Sequence, residues 1–297
     1  MIANGHNDKQ RNIEFLSDGL TLSGLLRLPE GETQHPLVIL GHGLGALKEW
    51  TLPELADALV KAGIAALWFD YRNVGDSEGE PREEVDHIGR LEDWQNAISY
   101  ATSLAEIDSQ RIGIWGTSLG GRDVLAVAGL DKRVKVVVSQ TPVIKWSSMT
   151  GARMGGYGDD MDRYHQELAE DRTNRALGKP ARYIPFVKEA NDEVKKAYID
   201  QLSPEETRNY KGRLTLQSYK PTIFTDVTPF IEMIAPTPLL FILAESDFIP
   251  GQREAFDAAK EPKSLQIIKG NHFSPYTTSK EDSISLSRDW FVTYLSS

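Results

Sequence analysis

Gly116-Thr117-Ser118-Leu119-Gly120 sets a serine between glycines, at the point where the apolar run "RIGIW" stops. A serine in that position can form a turn, cap a helix or act as a nucleophile. Attack on a carbonyl is the chemistry that calls for such surroundings. Small neighbours permit a strand-to-helix turn too tight for a Cβ at either flank. The helix start behind the serine offers N–H groups and a positive dipole end to a developing oxyanion.

A serine hydroxyl is a weak nucleophile at neutral pH unless a base takes its proton. Of the six histidines, His6 falls in the N-terminal segment, His35 reads as a surface-turn residue and His87 as part of an amphipathic helix. His165 stands beside an acidic run. His272 differs, because "KGNHFSPY" directly follows the last strand pattern of the chain. A carboxylate must then orient the imidazole. "LLFILAESDFIP" ends a buried run with Glu245 and Asp247. Asp247 is the preferred orienting group and Glu245 the second choice; either can instead serve as a turn residue. "GHGLG" (41–45) follows another strand pattern, and the N–H groups of Leu44 and Leu119 can pair as an oxyanion hole. His42 reads as a residue that shapes this loop.

Elements able to position these groups are visible in the periodicity. "NIEFLSDG" and "LTLSGLLRLPEG" alternate apolar and polar residues and predict an antiparallel hairpin. "PLVIL", "IAALWFD", "RIGIW" and "VKVVVS" are short apolar runs expected of strands covered on both faces. Helical spacing separates them: Leu52 to Val60, then Val85, Ile88, Leu91, Trp94, Ile98 and Ala101, then Leu119 to Ala128. The fold class predicted is α/β, with a mostly parallel central sheet flanked by helices. "TPLLFILAESD", a helix over 251–259, "SLQIIKG" and a helix over about 281–295 complete the pattern.

Between these two parts the alternation breaks. We assign residues 1–141 and 237–297 to the main domain and 142–236 to an inserted helical cap. The insertion includes "DDMDRYHQELAEDRTNRAL" and "NDEVKKAYIDQLSPEETRNY", both helical in pattern. It holds six of the ten tyrosines (157, 164, 183, 198, 210, 219) and four of the five methionines (149, 154, 161, 233). Such side chains suit the wall of an apolar pocket, or the insertion's own small core. Trp146, Met149, Tyr157 and Tyr219 are the substrate-contact candidates it offers.

Bulk properties narrow the function class. The chain has 297 residues, 40% hydrophobic and 26% charged, with a net charge of -10. Nucleic acid and anionic membranes are disfavoured as partners, since both demand clustered Lys and Arg. No cysteine is present, which excludes disulfides and thiolate metal sites. The N-terminal residues lack the apolar core of a signal peptide, and no run is long enough to span a bilayer, so a cytoplasmic location is the default. The aspartates and His165 of "GYGDDMDRYH" match no metal-loop spacing. Arg72 and Asp76 read as turn residues near the site edge. No cofactor and no metal is called for, and the oligomeric state stays open, a homo-oligomer included.

Taken in order, "GHGLG", "FDYRNVGDSEG", "GTSLGG", the insertion, "AESD" and "GNH" resemble the α/β-hydrolase superfamily over nearly the whole chain outside the cap. Within it the chain is similar to the prolyl-peptidase-like and dienelactone-hydrolase-like group, which includes bacterial esterases and fungal polyketide-associated thiohydrolases. "LTLQSYKPTIFTDVTPFIEMIAPT" and "TPLLFILAESDFIP" carry most of that likeness. The resemblance implies Ser118 as nucleophile, His272 as base, Asp247 as orienting acid, and Leu44 and Leu119 as oxyanion donors. A serine at this position argues against dehalogenation through aspartate and against thiol-based dienelactone chemistry. The expected activity is hydrolysis of an ester or thioester of a small-molecule acyl substrate. Acyl transfer, lactone opening or carbon–carbon cleavage on the same groups are alternatives. A non-catalytic ligand-binding protein on the same scaffold is the rival from another class.

Overall fold

The computed structural model describes residues 10–31, 34–186, 195, 197, 211–222 and 226–296, with the backbone alone at 148 and 149. His6, Tyr198, Tyr210, the Met149 side chain and, apart from Lys195 and Ala197, the helical pattern over 191–210 lie outside the described residues.

Strands β1 (Gln10–Ser17) and β2 (Leu20–Arg27) form the expected hairpin. Asp18 and Gly19 both take positive φ (49° and 83°), the tight turn whose twist matches the flanking strands. The α/β part follows as β3 (His35–Gly41), α1 (Leu52–Lys61), β4 (Ala65–Phe69), α2 (Gly89–Thr102), β5 (Ile107–Thr117), α3 (Leu119–Leu130) and β6 (Val134–Gln140). The chain then leaves the main sheet for α4 (Ser148–Met154), α5 (Met161–Ala176) and the small antiparallel pair β7 (Tyr183–Pro185) and β8 (Arg213–Thr215). It returns through β9 (Leu239–Ala244), α6 (Gln252–Ala258), β10 (Lys263–Ile268) and α7 (Lys280–Leu295).

Eight strands form one sheet in the order β1-β2-β4-β3-β5-β6-β9-β10. The pairs β1–β2 and β2–β4 are antiparallel and the rest parallel. Because side chains alternate along a strand, each central strand feeds both faces. Ile39, Leu67, Ile114 and Val137 join Trp94, Ile98 and Val124 on one side. Leu40, Trp68, Trp115 and Val138 join Leu55, Leu59 and Phe291 on the other. This two-sided burial explains why the strands read as unbroken apolar runs.

The connection from β3 runs to β4 on one side, and the next crosses back to β5 on the other. Chain direction therefore diverges at the carboxyl ends of β3 and β5, where a crevice opens in sheets of this kind. Two expectations need correction here. His35 is no surface-turn residue: β5 begins at Ile107, earlier than "RIGIW", and pairs with His35, which is buried in β3. Val85, His87 and Ile88 precede α2 rather than belonging to it. The Asp86 side chain accepts from the N–H groups of Ile88 and Gly89 at 3.1 and 3.0 Å, which fixes the helix start later.

Candidate active site

Ser118 stands between β5 and α3 with φ 54° and ψ -115°, a backbone region that residues with a Cβ avoid. Its surroundings hold it there. Ser118 N–H donates to Gln140 O at 2.9 Å, and Ser118 O accepts from Val143 N–H at 3.0 Å. A Cβ on Gly116 would lie 2.2 Å from Gly120 O, and one on Gly120 would lie 2.6 Å from His42 O. Both glycines are therefore demanded by close approach of backbone to backbone.

The loops after β9 and β10 meet this turn. Ser118 Oγ lies 3.1 Å from His272 Nε2, and His272 Nδ1 lies 3.0 and 3.1 Å from the two oxygens of Asp247. With Nδ1–H donating to the carboxylate, Nε2 carries the lone pair that faces the hydroxyl. Asp247 is fixed in turn: Oδ1 accepts from Ile249 N–H at 2.9 Å and Oδ2 from Gln252 Nε2–H at 3.1 Å. Glu245, the second choice, is exposed.

Leu119 is the first residue of α3, where helical N–H groups have no partner within the helix. Leu44 follows Gly43, and a Cβ on Gly43 would lie 3.1 Å from Ser118 Cβ. The backbone segments bearing both proposed donors thus flank the serine. His42 sits beneath them with Nδ1–H donating to Gly43 O at 3.0 Å. Burial, followed by the charge of Arg90, lowers its pKa to about 3, so it stays neutral.

Several groups that the sequence reading did not single out brace these loops. Arg90 donates to His42 O at 3.2 Å and to Asp123 at 2.8 Å, and its guanidinium lies 3.5 Å from the centre of the Tyr71 ring. Arg122 donates to Asp123 at 2.8 Å and to His87 Nδ1 at 3.1 Å, and His87 Nε2–H donates to Ser218 O at 2.9 Å. One buried polar chain therefore links the glycine loop, the helix behind Ser118 and the insertion. The "GGRD" that follows the serine was the available signal. Lys48 Nζ lies 2.6–2.9 Å from Asp76, Asp70 and Glu49, tying the loops after β3 and β4 together. Burial works against that charge, but the carboxylates outweigh it and raise the lysine pKa. Among the described residues these three carboxylates are the group close enough to share a cation, and the lysine ammonium stands among them.

Other candidates have structural partners. Asp76 belongs to the Lys48 cluster, and Arg72 donates to Asp93 at 2.8 Å. Asp160 caps α5 through Arg163 N–H at 3.1 Å, and Asp159 pairs with Arg153. Trp146, Tyr157 and Tyr219 are buried in an apolar cluster that also contains Leu44 and Leu119. Trp146 Nε1–H donates to Lys220 O at 3.0 Å, and Tyr157 OH to Glu167 at 2.5 Å. The insertion's core is thus continuous with the loops around Ser118.

The family model of the alpha/beta hydrolase fold matches residues 36–277. The chain belongs to the α/β hydrolase fold family. This α/β hydrolase is 30% identical over 274 residues to the thiohydrolase aneE of Aspergillus aculeatus, covering 88% of this chain and 85% of that protein. A local match to the quorum-quenching protein AidA of Acinetobacter baumannii is 45% identical over 131 residues, but spans 44% of this chain and 43% of that one. Among solved structures, the α/β hydrolase GrgF from Penicillium sp. sh18 superposes with TM-score 0.81 at 26% identity, covering 97% of this chain and 99% of that one. Among the described residues, no helix of this α/β hydrolase is long and apolar enough to cross a membrane.

Proposed function

We propose that this chain is a serine hydrolase that cleaves an ester or thioester of a small to medium apolar acyl group through an acyl-enzyme. The hydrogen-bonded series Ser118–His272–Asp247 carries this reading. Ser118 Oγ attacks the carbonyl carbon as its proton passes to His272 Nε2. The N–H groups of Leu44 and Leu119 hold the oxyanion. The bond to the leaving oxygen or sulfur breaks as His272 returns the proton to it. Water then attacks the acyl-enzyme, giving its proton to His272, and the carboxylic acid departs as Ser118 is reprotonated. Asp247 keeps the imidazole in the required tautomer and stabilises its charged form. Residues 142–236 act as a cap that shapes the acyl site.

Acyl transfer to an alcohol or amine on the same groups is the second reading. The similarity to proteins named polyketide transferase grgF (30% identical) and acyltransferase drtE (28%) favours it. A fluorophosphonate probe tests the shared step: the wild-type chain is expected to be labelled at Ser118, and Ser118→Ala not at all. Labelling that persists in Ser118→Ala would overturn the assignment, and an unreactive wild-type chain would favour a binding protein. Supplying an acceptor alcohol during ester turnover then separates transfer from hydrolysis by the product formed.

A further inference from the structure

Phe248 follows the orienting aspartate directly and is 59% exposed. Every other described phenylalanine and tryptophan is buried or half-buried. A single exposed apolar side chain is ordinary by itself, and what sets Phe248 apart is its place. This one lies at the candidate active site: its centroid is 4.9 Å from that of His272, with the planes at 53°. The half-buried Phe273 ring lies 6.2 Å away at 37°, so the two phenylalanines border the histidine together. A third ring stands over the glycine loop, since a Cβ on Gly45 would lie 2.5 Å from Phe186 Cε1.

The chemistry gives Phe248 a direction. In the acyl-transfer step His272 hands its proton to the departing atom, so the leaving group must sit against the histidine. The ring beside His272 therefore borders the leaving group rather than the acyl chain. Aromatic rings meet best in offset or edge-to-face contact, which an exposed ring offers to a flat partner and not to a flexible alkyl chain.

We infer that Phe248 is a specificity-determining residue, and that the leaving group it receives is an aryl alcohol or a similarly flat apolar alcohol. This rests on the serine-hydrolase reading above. The test compares kcat/KM for 2-naphthyl butyrate and butyl butyrate, which share an acyl group, in wild type, Phe248→Ala and Phe248→Trp, with fluorophosphonate labelling of each. Phe248→Ala is expected to lose about tenfold on the naphthyl ester and under about threefold on the butyl ester. Phe248→Trp is expected to restore most of the naphthyl activity. Equal losses on both esters, together with slower labelling or a shifted pH profile, would mean that the ring only props His272, and would overturn the inference. So would no loss on either. If the wild-type chain neither labels nor turns over either ester, the serine-hydrolase reading falls and the leaving-group assignment falls with it. If the wild type does both and the selectivity is unmoved, only the role of Phe248 is lost.

Discussion

His272 Nε2 and Ser118 Oγ lie 3.1 Å apart although 154 residues separate them in the chain. Their alignment depends on a serine held at φ 54°, a conformation a Cβ disfavours. Both Ser118→Ala and Ser118→Gly remove the hydroxyl, and each is expected to lower ester turnover by about a thousandfold or more. They should differ in stability. Glycine relieves the backbone strain and alanine does not, so urea denaturation is expected to show the glycine variant more stable by about 1–2 kcal/mol. Equal stabilities would mean that the turn stores no strain.

Asp247 should matter through the tautomer it imposes. Asp247→Asn is expected to reduce kcat by about ten-thousandfold while leaving the fold intact. Gln252 donates to Asp247 Oδ2 and to Pro142 O, both at 3.1 Å, and so sets the angle of the carboxylate. Gln252→Met keeps the length and loses both bonds; a fall in kcat of about tenfold with KM little changed is expected. A change confined to KM would reassign this residue to substrate binding.

Arg90 braces the loop that carries Leu44. Truncating it would leave Asp123 with Arg122 as its charged partner but open a hole beside Tyr71, so Arg90→Lys is the informative change. One ammonium keeps the charge but cannot reproduce the planar fork that reaches both Asp123 and His42 O. Steady-state kinetics are expected to show kcat reduced by about ten- to a hundredfold, because small displacements of oxyanion donors are costly. Unchanged kcat would show that the loop holds its shape without this bond.

Acid stability provides a separate check. Burial first, then Arg90, lowers the His42 pKa from 6.5 to about 3. Below pH 6.5 the unfolded chain therefore binds a proton that the folded protein refuses, and stability falls as pH drops through that window. His87, buried beside Arg122, shifts in the same direction. Asp70, whose pKa burial raises to about 6, works oppositely between 3.8 and 6 and partly offsets the histidines. Comparing wild type with His42→Gln isolates one imidazole. Between pH 6 and 4 the wild type is expected to lose about 1.4 kcal/mol more per pH unit than the variant. Parallel curves would mean that His42 titrates normally in the folded protein.

The strands were legible because burial on both faces leaves runs such as "PLVIL" and "AALWF" without polar interruption. Ser118, Asp247 and His272 could be proposed because each follows a strand pattern, and a parallel sheet brings the carboxyl ends of its strands to one edge. The supporting polar chain was not legible. Arg90 lies in α2, Arg122 and Asp123 in α3 and His87 in the loop before α2, and a buried arginine looks like a surface one until its partners are in place. His35 misled for a related reason: its burial is set by the N-terminal extension of β5, a pairing 72 residues away that leaves no local trace. Phe248 was read only as part of a strand-end motif, because exposure is a property of the folded surface.

The separation of Ser118 from its base also has a consequence in time. Synthesis at roughly 5–20 residues per second puts about 8 to 30 s between the addition of Ser118 and that of His272, 154 residues later in the chain. Throughout that interval the growing polypeptide carries Ser118 without His272, the imidazole proposed to activate it. On the proposed mechanism, a nascent or prematurely terminated chain ending before residue 272 is expected to be silent toward acyl esters, with reactivity arriving only with the last strand and the loop that follows it.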